Sequence, residues 1–585
     1  MTKILRRDDE RIRMLVTYLK PQWPRVALLG QLLIGSIGLQ LLNPQVLRRF
    51  IDSATHAASD RTLASAAGLF LLIAVTQQIL SVTATYFSEN IGWNATNALR
   101  ADLLLHCLRL DASFHKTRTP GELIDRIDGD VTTLAGFFSQ LVVQVLGNLL
   151  LLIGVLVVLW SIDWRIGLSM VAFTAVVFLS LRQIQKLVAP LWKVARQRSA
   201  ELYGFIEERL TGTEDIRSSG AALWTMRRLY ERMAEQLRAE RRARLTGRLV
   251  WIVSDIMFTV GIAAIFLLAA RLYHGGGLTI GTIYVVFFYM ELLFQPLTQI
   301  TRQAEDFQKA SAGIMRVQEL LGTCSALKDT GTLMLPAGPL SVSLSDVVFS
   351  YSAEDEPVIR GLNVRLEAGR VLGILGRTGS GKTTLTRLLF RLYDIQRGVI
   401  ALGGIDIRDT SLAELRRRVG IVTQEVQLFN ATIRDNLTLF DTSIADDRIM
   451  AALESMGLGS WLERFPDGLE TVLAAGSGGL SAGEGQLLAF TRILLRDPGL
   501  VILDEASSRL DPATEQLIER CVDRLFVGRT GIVIAHRLHT VMRADEILVL
   551  EDGELAEYGE REALVRNTGS RFARLLKHGM EDVLA

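Results

Sequence analysis

The sequence is short of several things that would mark other kinds of protein. Only three cysteines occur in 585 residues, Cys107, Cys324 and Cys521, with no C-x-x-C pair among them. That excludes a disulfide framework and a metal knuckle and leaves reduced cytosolic thiols. Net charge is scarce too, since 64 lysines and arginines against 63 aspartates and glutamates leave +1, and no nucleic acid or other polyanion is expected as a partner. The N-terminal MTKILRRDDERIRMLVTYLK lacks the uncharged core and small-residue cleavage site of a signal peptide. No segment is therefore expected to be removed, and later helices must drive membrane insertion. Even overall hydrophobicity is ordinary at 49%; what stands out is that the long uncharged runs crowd into the first 300 residues or so.

A bilayer core ~30 Å thick needs about 20 predominantly apolar residues in a helix, the one single-segment structure that satisfies its own backbone in hydrocarbon. Val26 to Leu47, Leu63 to Ser88 and Leu141 to Ile162 carry no charged side chain, and Ile166 to Leu181 is a shorter run of the same kind. A fifth span runs from Leu249 to Ala270, interrupted by Asp255, and a sixth starts near Leu278 and continues past Phe294, with Glu291 and Pro296 inside it. The connections after spans two and four are roughly 50 to 65 residues and the others roughly 3 to 15, so the long loops share one side. Those loops are rich in arginine, and Arg182, Arg244 and Arg248 near span ends agree with a cytoplasmic placement of both loops and both termini. Apolar residues at helical spacing (Leu103, Leu104, Cys107, Leu108; Leu202, Phe205, Ile206, Leu210) predict that the loops are helical extensions reversing near 111–120 and 212–220.

Ionisable residues at membrane depth face a bundle interior or cavity, which marks Asp255, Glu291 and Glu89 as candidates for a substrate path; a span-end carboxylate reaching water explains Glu89 and Glu291 as well. Gln31, Gln40, Gln77, Gln78, Gln140, Gln144 and Asn148 fit a polar cavity or interhelical hydrogen bonds equally.

Beyond Leu340 strand-like and helical runs alternate. The apolar run Val371 to Leu375 leads directly into Gly376, Arg377, Thr378, Gly379, Ser380, Gly381, Lys382, Thr383 and Thr384, followed by the helical LTRLLFRLY. This is the G-x-x-x-x-G-K-[ST] loop in its strand-to-helix setting, whose glycines let backbone N–H groups converge on phosphate at a helix N-terminus. Lys382 is placed for the β and γ oxygens of ATP and Thr383 for Mg²⁺. In LVILDEASSRLD a hydrophobic strand delivers two carboxylates: Asp504 suits Mg²⁺, and Glu505 suits the general base that polarises an attacking water.

With these elements in order, the chain resembles the ABC transporter superfamily over nearly its whole length, in particular type IV, exporter-type half-transporters. The resemblance implies a six-span α-helical transmembrane domain with long cytoplasmic extensions (1–325), a linker (326–339) and an α/β P-loop nucleotide-binding domain (340–585). It implies that Tyr351 stacks on adenine, that Gln424 contacts Mg²⁺ and senses the γ-phosphate, that Ser481 and Gly483 of LSAGEGQ stand at the signature position, that Ser508 to Asp511 form the D-loop, and that His536 is the switch histidine. FHKTRTPGELIDRIDGDV and the Asp163-Trp164-Arg165 corner also look like this family. Because such proteins complete each ATP site with the signature of a second domain, a second half-transporter is implied as partner.

Two departures bear on that partner. The usual LSGGQ has Ala482 for its first glycine and Glu484 for its glutamine, and the glutamate usual in the preceding segment is replaced by Ala475. A methyl group and an added carboxylate are expected to weaken this half-site, whereas Glu505 and His536 are retained, so a heterodimer is favoured over a homodimer. The implied activity is ATP-driven export of an amphipathic drug, lipid or peptide across the cytoplasmic membrane. Import of siderophore-like compounds on the same fold and an ATP-gated channel or regulator stand as alternatives. The two loop turns, 111–119 and 211–219, are expected to couple the domains, the first to its own ATPase domain and the second to the partner's.

Overall fold

The structure is a computed structural model that describes Arg13 and residues 16–56, 58–275, 277–352, 354–423, 426–474, 480–504, 512–534 and 541–578, with only the backbone of 137–143, 250, 298, 300–309 and 512–513. The chain divides into two compact units, one comprising 1–108 with 120–323 and the other 109–119 with 324–585.

Six long helices make up the first unit: α1 (Trp23–Thr55), α2 (Asp60–Arg109), α3 (Gly147–Ile162), α4 (Trp164–Thr211), α5 (Ala222–His274) and α6 (Ile280–Leu321). Each contains an apolar stretch long enough to cross a membrane, except that the third such stretch, Gln144–Ile162, begins in the helical turn before α3, and these stretches coincide with the six runs legible in the sequence. Four of the six helices exceed 40 residues, so they continue well past the ~20 residues a bilayer needs, as the arginine-rich loops predict. The third run differs from expectation at its start: Leu141–Leu146 is π-helical before α3 begins, and Asp125–Asp130 is a second π-helical turn.

Apolar side chains of α3, α4, α5 and α6 form the core, with Val155, Met170, Val285 and Tyr289 fully buried. Leu72, Ile79 and Leu267 remain more than half exposed, the pattern of a bundle whose outer face meets lipid. Polar groups inside the bundle are paired across helices. Gln45 donates to the Tyr289 hydroxyl (3.0 Å), which donates to the Leu41 carbonyl (2.6 Å), and Asn148 donates to Gln299 (2.6 Å). For Asn148 the hydrogen-bonding reading thus holds over the cavity reading, because hydrocarbon offers an amide no other partner.

The second unit is built on two main sheets. Strands β1 (Val342–Phe349), β2 (Ile359–Leu366), β4 (Arg397–Leu402) and β5 (Ile405–Asp406) form an antiparallel sheet in the order β2-β1-β4-β5. Strands β3 (Val371–Gly376), β6 (Val419–Val422), β9 (Leu500–Asp504), β10 (Thr530–Ile534), β11 (Glu546–Glu551) and β12 (Glu554–Glu560) form the other, in the order β12-β11-β3-β10-β9-β6. A short pair, β7 (Ala431–Thr432) and β8 (Val472–Leu473), stands apart. In the six-stranded sheet β3, β6, β9, β10 and β11 run parallel. Strands buried on both faces read as continuous apolar runs, and β3 and β10 are buried at every position.

Candidate functional site

Parallel sheets bind ligands beyond the C-terminal ends of their strands, and the register brings the candidate residues to that edge. Ile374 of β3 pairs with Ile534 of β10, which pairs with Asp504 of β9. Asp504 therefore lies two strand spacings, ~10 Å, from the strand that feeds the phosphate loop. β9 ends immediately before Glu505, and β10 and β6 end two residues before His536 and Gln424. Glu505, Asp511, His536 and Gln424 themselves lie outside the described residues, as do Ala475 and the rest of the D-loop.

The loop leaves β3 at Gly376 and enters helix α7 (Lys382–Leu389). Gly379 and Gly381 have φ of +87° and +101°, a region that disfavours any residue with a Cβ. At Gly381 a Cβ would also sit 2.8 Å from Ile359. The Lys382 ammonium is folded into the loop, donating to the carbonyls of Gly376 (2.6 Å) and Arg377 (2.9 Å). Burial pushes its pKa below the ordinary lysine value, and the carboxylate of Asp504 partly offsets this. The Ser380 hydroxyl is buried and has no hydrogen-bond partner among the described residues. A buried hydroxyl without a partner is costly, and its position in a ring of N–H groups at a helix N-terminus fits a phosphate acceptor. Thr378 and Gly379 are exposed, and so is Thr383 in the first turn of α7, with its side chain free to reach a metal ion. Among the described residues no cluster of three acidic, histidine or cysteine side chains exists. Mg²⁺ here would rely on Thr383, Asp504 and phosphate oxygens, a donor set of hard oxygens that suits it.

Tyr351 stands beside this loop. Its hydroxyl lies 3.0 Å from the Thr384 hydroxyl and accepts from Arg387 (3.2 Å), and its ring packs edge-on against Phe349 and Tyr393. Sequence reading missed one neighbour: the Lys116 ammonium sits 4.0 Å from the centroid of the Tyr351 ring. Lys116 belongs to a six-residue helix, Ala112–Thr117, capped by Asp111. Besides capping, Asp111 accepts hydrogen bonds from Ser325 (3.2 Å) and the backbone N–H of Ala326. Burial raises the pKa of its carboxyl, but the bonds from Ala326, Phe114 and the serines outweigh that and hold it below the usual range. This is why 109–119, a turn in the first long loop, groups with the nucleotide-binding unit. The second turn is a short exposed helix, Thr213–Ser218.

At the signature, Ser481 caps helix α8 (Ala482–Arg496), and a capping box forms: the Ser481 hydroxyl accepts from the Glu484 N–H (3.2 Å) and the Glu484 carboxylate accepts from the Ser481 N–H (2.8 Å). The same carboxylate accepts from the Trp461 indole (3.0 Å) and pairs with Arg464. Burial would raise its pKa, yet these donors hold it below the ordinary glutamate range. The extra charge read from the sequence is thus consumed inside the chain. Ser481 and Ala482 are exposed at the helix N-terminus, and Gly483 is buried beneath them.

In the membrane unit, Asp255 and Glu291 line one cavity of about 670 Å³ together with Gln40. Glu89 lies exposed on α2 and is not among its lining residues.

Residues 26–297 match the ABC transporter transmembrane region, and residues 359–508 match the ABC transporter family of ATPase domains. The chain is 30% identical over 515 residues to the ATP-dependent lipid A-core flippase of Escherichia coli (strain K12), covering 87% of each. It is 29% identical over 559 residues to the uncharacterised ABC transporter ATP-binding protein YfiC of Bacillus subtilis (strain 168), covering 95% of this chain and 92% of that one. Among solved structures it is similar to a bacterial Atm1-family ABC exporter with ATP bound, with a TM-score of 0.79, 25% identity, and coverage of 95% and 98%.

Proposed function

Because the chain belongs to the ABC transporter family, as an exporter-type integral membrane half-transporter whose ATPase drives transport, we propose that it exports an amphipathic substrate out of the cytoplasm as one half of a heterodimer. The observation that carries this reading is the inclusion of 109–119, from the first long loop between spans, in the unit that holds the phosphate loop. Such a segment links events at the nucleotide to the helices.

In this reading Tyr351 holds the base, and Lys382 with the N–H groups from Gly379 to Thr384 holds the phosphates. Thr383, Asp504 and Gln424 hold Mg²⁺. Bound ATP supplies a phosphoanhydride whose cleavage is the energy source. Glu505 takes the proton of the attacking water and His536 orients around the departing phosphate, while Asp511 and the partner's signature complete the site. Closure of the two halves biases the helices between inward-open and outward-open arrangements. The ATPase domain is cytosolic and the membrane is the cytoplasmic one.

The heterodimer reading rests on Ala482 and Ala475, since Glu484 is already neutralised within the chain. Co-expression with an adjacent half-transporter, followed by reconstitution in liposomes, tests the whole proposal. The pair should hydrolyse ATP and accumulate substrate in inside-out vesicles, and Glu505→Gln should abolish both. ATP-dependent loss of substrate from those vesicles would instead mean import, and flux uncoupled from hydrolysis would mean a channel. Full activity of this chain alone would replace the heterodimer with a homodimer.

A further inference from the structure

The cavity in the membrane unit has a chemistry that the family reading does not supply. On α5 its lining positions are Asp255, Phe258, Thr259 and Ile262, and on α6 they are Phe288, Glu291, Leu292, Phe294 and Gln295. The α5 positions, and Phe288, Glu291, Leu292 and Gln295 on α6, follow the i, i+3, i+4, i+7 spacing of a single helix face, so each helix turns a face bearing one carboxylate and a phenyl ring to the same space, with Phe294 at its edge. Counted at 1.5 Å per residue, Asp255 lies ~9 Å inside the fifth apolar run from Leu249, and Glu291 lies ~16 Å along α6 from its first residue. Both are therefore at hydrocarbon depth, where an ionisable side chain is retained at a cost and marks a ligand or ion path.

Among the described residues neither carboxylate has an ion-pair partner, and no lysine, arginine or histidine lines the cavity. Two other carboxylates of this unit are matched: Asp130 is bonded by Arg316, and Asp52 pairs with Arg48 and accepts from Thr279 and the Gly281 N–H. Phe258 is held edge-on by Phe173 and Phe294, which fixes an aromatic wall beside the acids. A volume of about 670 Å³ falls within the range of drug-sized ligand sites, ~300 to 1,000 Å³.

We propose that this cavity is a binding site for lipophilic organic cations, with Asp255 and Glu291 as the charge-selecting groups and Phe258 and Phe288 as aromatic surface for the cation's apolar body. A positive charge in low dielectric gains from both carboxylates and from the ring faces. An anionic amphiphile of the same size meets two like charges and is rejected. This rests on the exporter reading and narrows its substrate class.

The test uses two probes of nearly equal shape and opposite charge, tetraphenylphosphonium and tetraphenylborate, in equilibrium dialysis against the full-length protein, with any co-purifying partner half, in uncharged detergent without ATP. The Asp255→Asn/Glu291→Gln double variant should bind tetraphenylphosphonium about tenfold or more weakly while binding tetraphenylborate no more weakly than wild type. Asp255→Glu should stay within about threefold of wild type for the cation. Loss of both probes together in the double variant, or unchanged cation binding, would overturn the inference. Elution position on size exclusion reports whether each variant is folded. The two readings fail separately: charge-selective dialysis without ATP-driven efflux of the cation refutes export, whereas ATP-driven export of some other substrate with charge-blind dialysis refutes the cation site.

Discussion

Glu484 gives the sharpest check of how the signature works. A bare carboxylate ~8 Å from a phosphate, at an effective dielectric of ~20, would cost about 2 kcal/mol, or roughly thirtyfold in affinity. If that held, Glu484→Gln should relieve the half-site by about that factor. In the structure the charge is matched by Arg464 and bonded by Trp461 and the Ser481 N–H, so the field reaching a neighbouring phosphate is that of a pair and falls off much faster. The expected effect of Glu484→Gln on the apparent ATP Kd and on hydrolysis by the co-expressed dimer is less than about threefold. Ala482→Gly, which removes the exposed methyl, should do more. Stability moves the other way: glutamine can keep the capping box, whereas Glu484→Ala loses it and should cost about 1 to 2 kcal/mol. Because the folded pKa of Glu484 is depressed, its stabilisation is present above the unfolded value of ~4.3. It is lost as pH falls through the lower folded value, so the gap in apparent Tm between wild type and Glu484→Ala should close on acidification from about pH 5. A tenfold or larger gain in ATP affinity for Glu484→Gln would refute the internal pairing.

Further expectations follow from the nucleotide unit. Ser380→Ala deletes a buried hydroxyl with no partner among the described residues, so thermal stability should hold or rise while ATP binding weakens about three- to tenfold; loss of stability would show that the hydroxyl is paired within the protein. Lys116→Met frees the ring face that the ammonium covers at 4.0 Å. At ~0.5 to 1 kcal/mol for such a contact, ATP should bind about two- to fivefold more tightly, as measured by isothermal titration, and weaker binding would mean that Lys116 supports the base instead. Asp111→Ala removes the cap of the 112–117 helix and its tie to Ser325 and Ala326. ATP binding should stay within about twofold while substrate moved per ATP falls in liposomes; an unchanged ratio would release this turn from coupling.

Much of the molecule was legible one residue after another. Spans can be counted because hydrocarbon thickness and backbone hydrogen bonding act on each segment alone. The run from Gly376 to Thr384 is readable for the same reason: positive φ and a helix N-terminus are local demands met by glycine spacing. The π-helical turns at Asp125–Asp130 and Leu141–Leu146 left no such mark, since a single π-helical turn inside a longer helix is too short to show a period of its own.

The sequence by itself thus determined that the chain spans a membrane six times and carries a phosphate loop of an ATPase domain. Tertiary structure decided what depends on residues far apart in the chain. Glu484 looked like an added charge until Trp461 and Arg464 came to it from another helix and turn. Lys116 gained meaning only when it lay over Tyr351, and Asp255 and Glu291 only when they shared one cavity. A charge or a ring acts through whatever packs within a few ångströms of it, and folding, not spacing along the chain, chooses those neighbours.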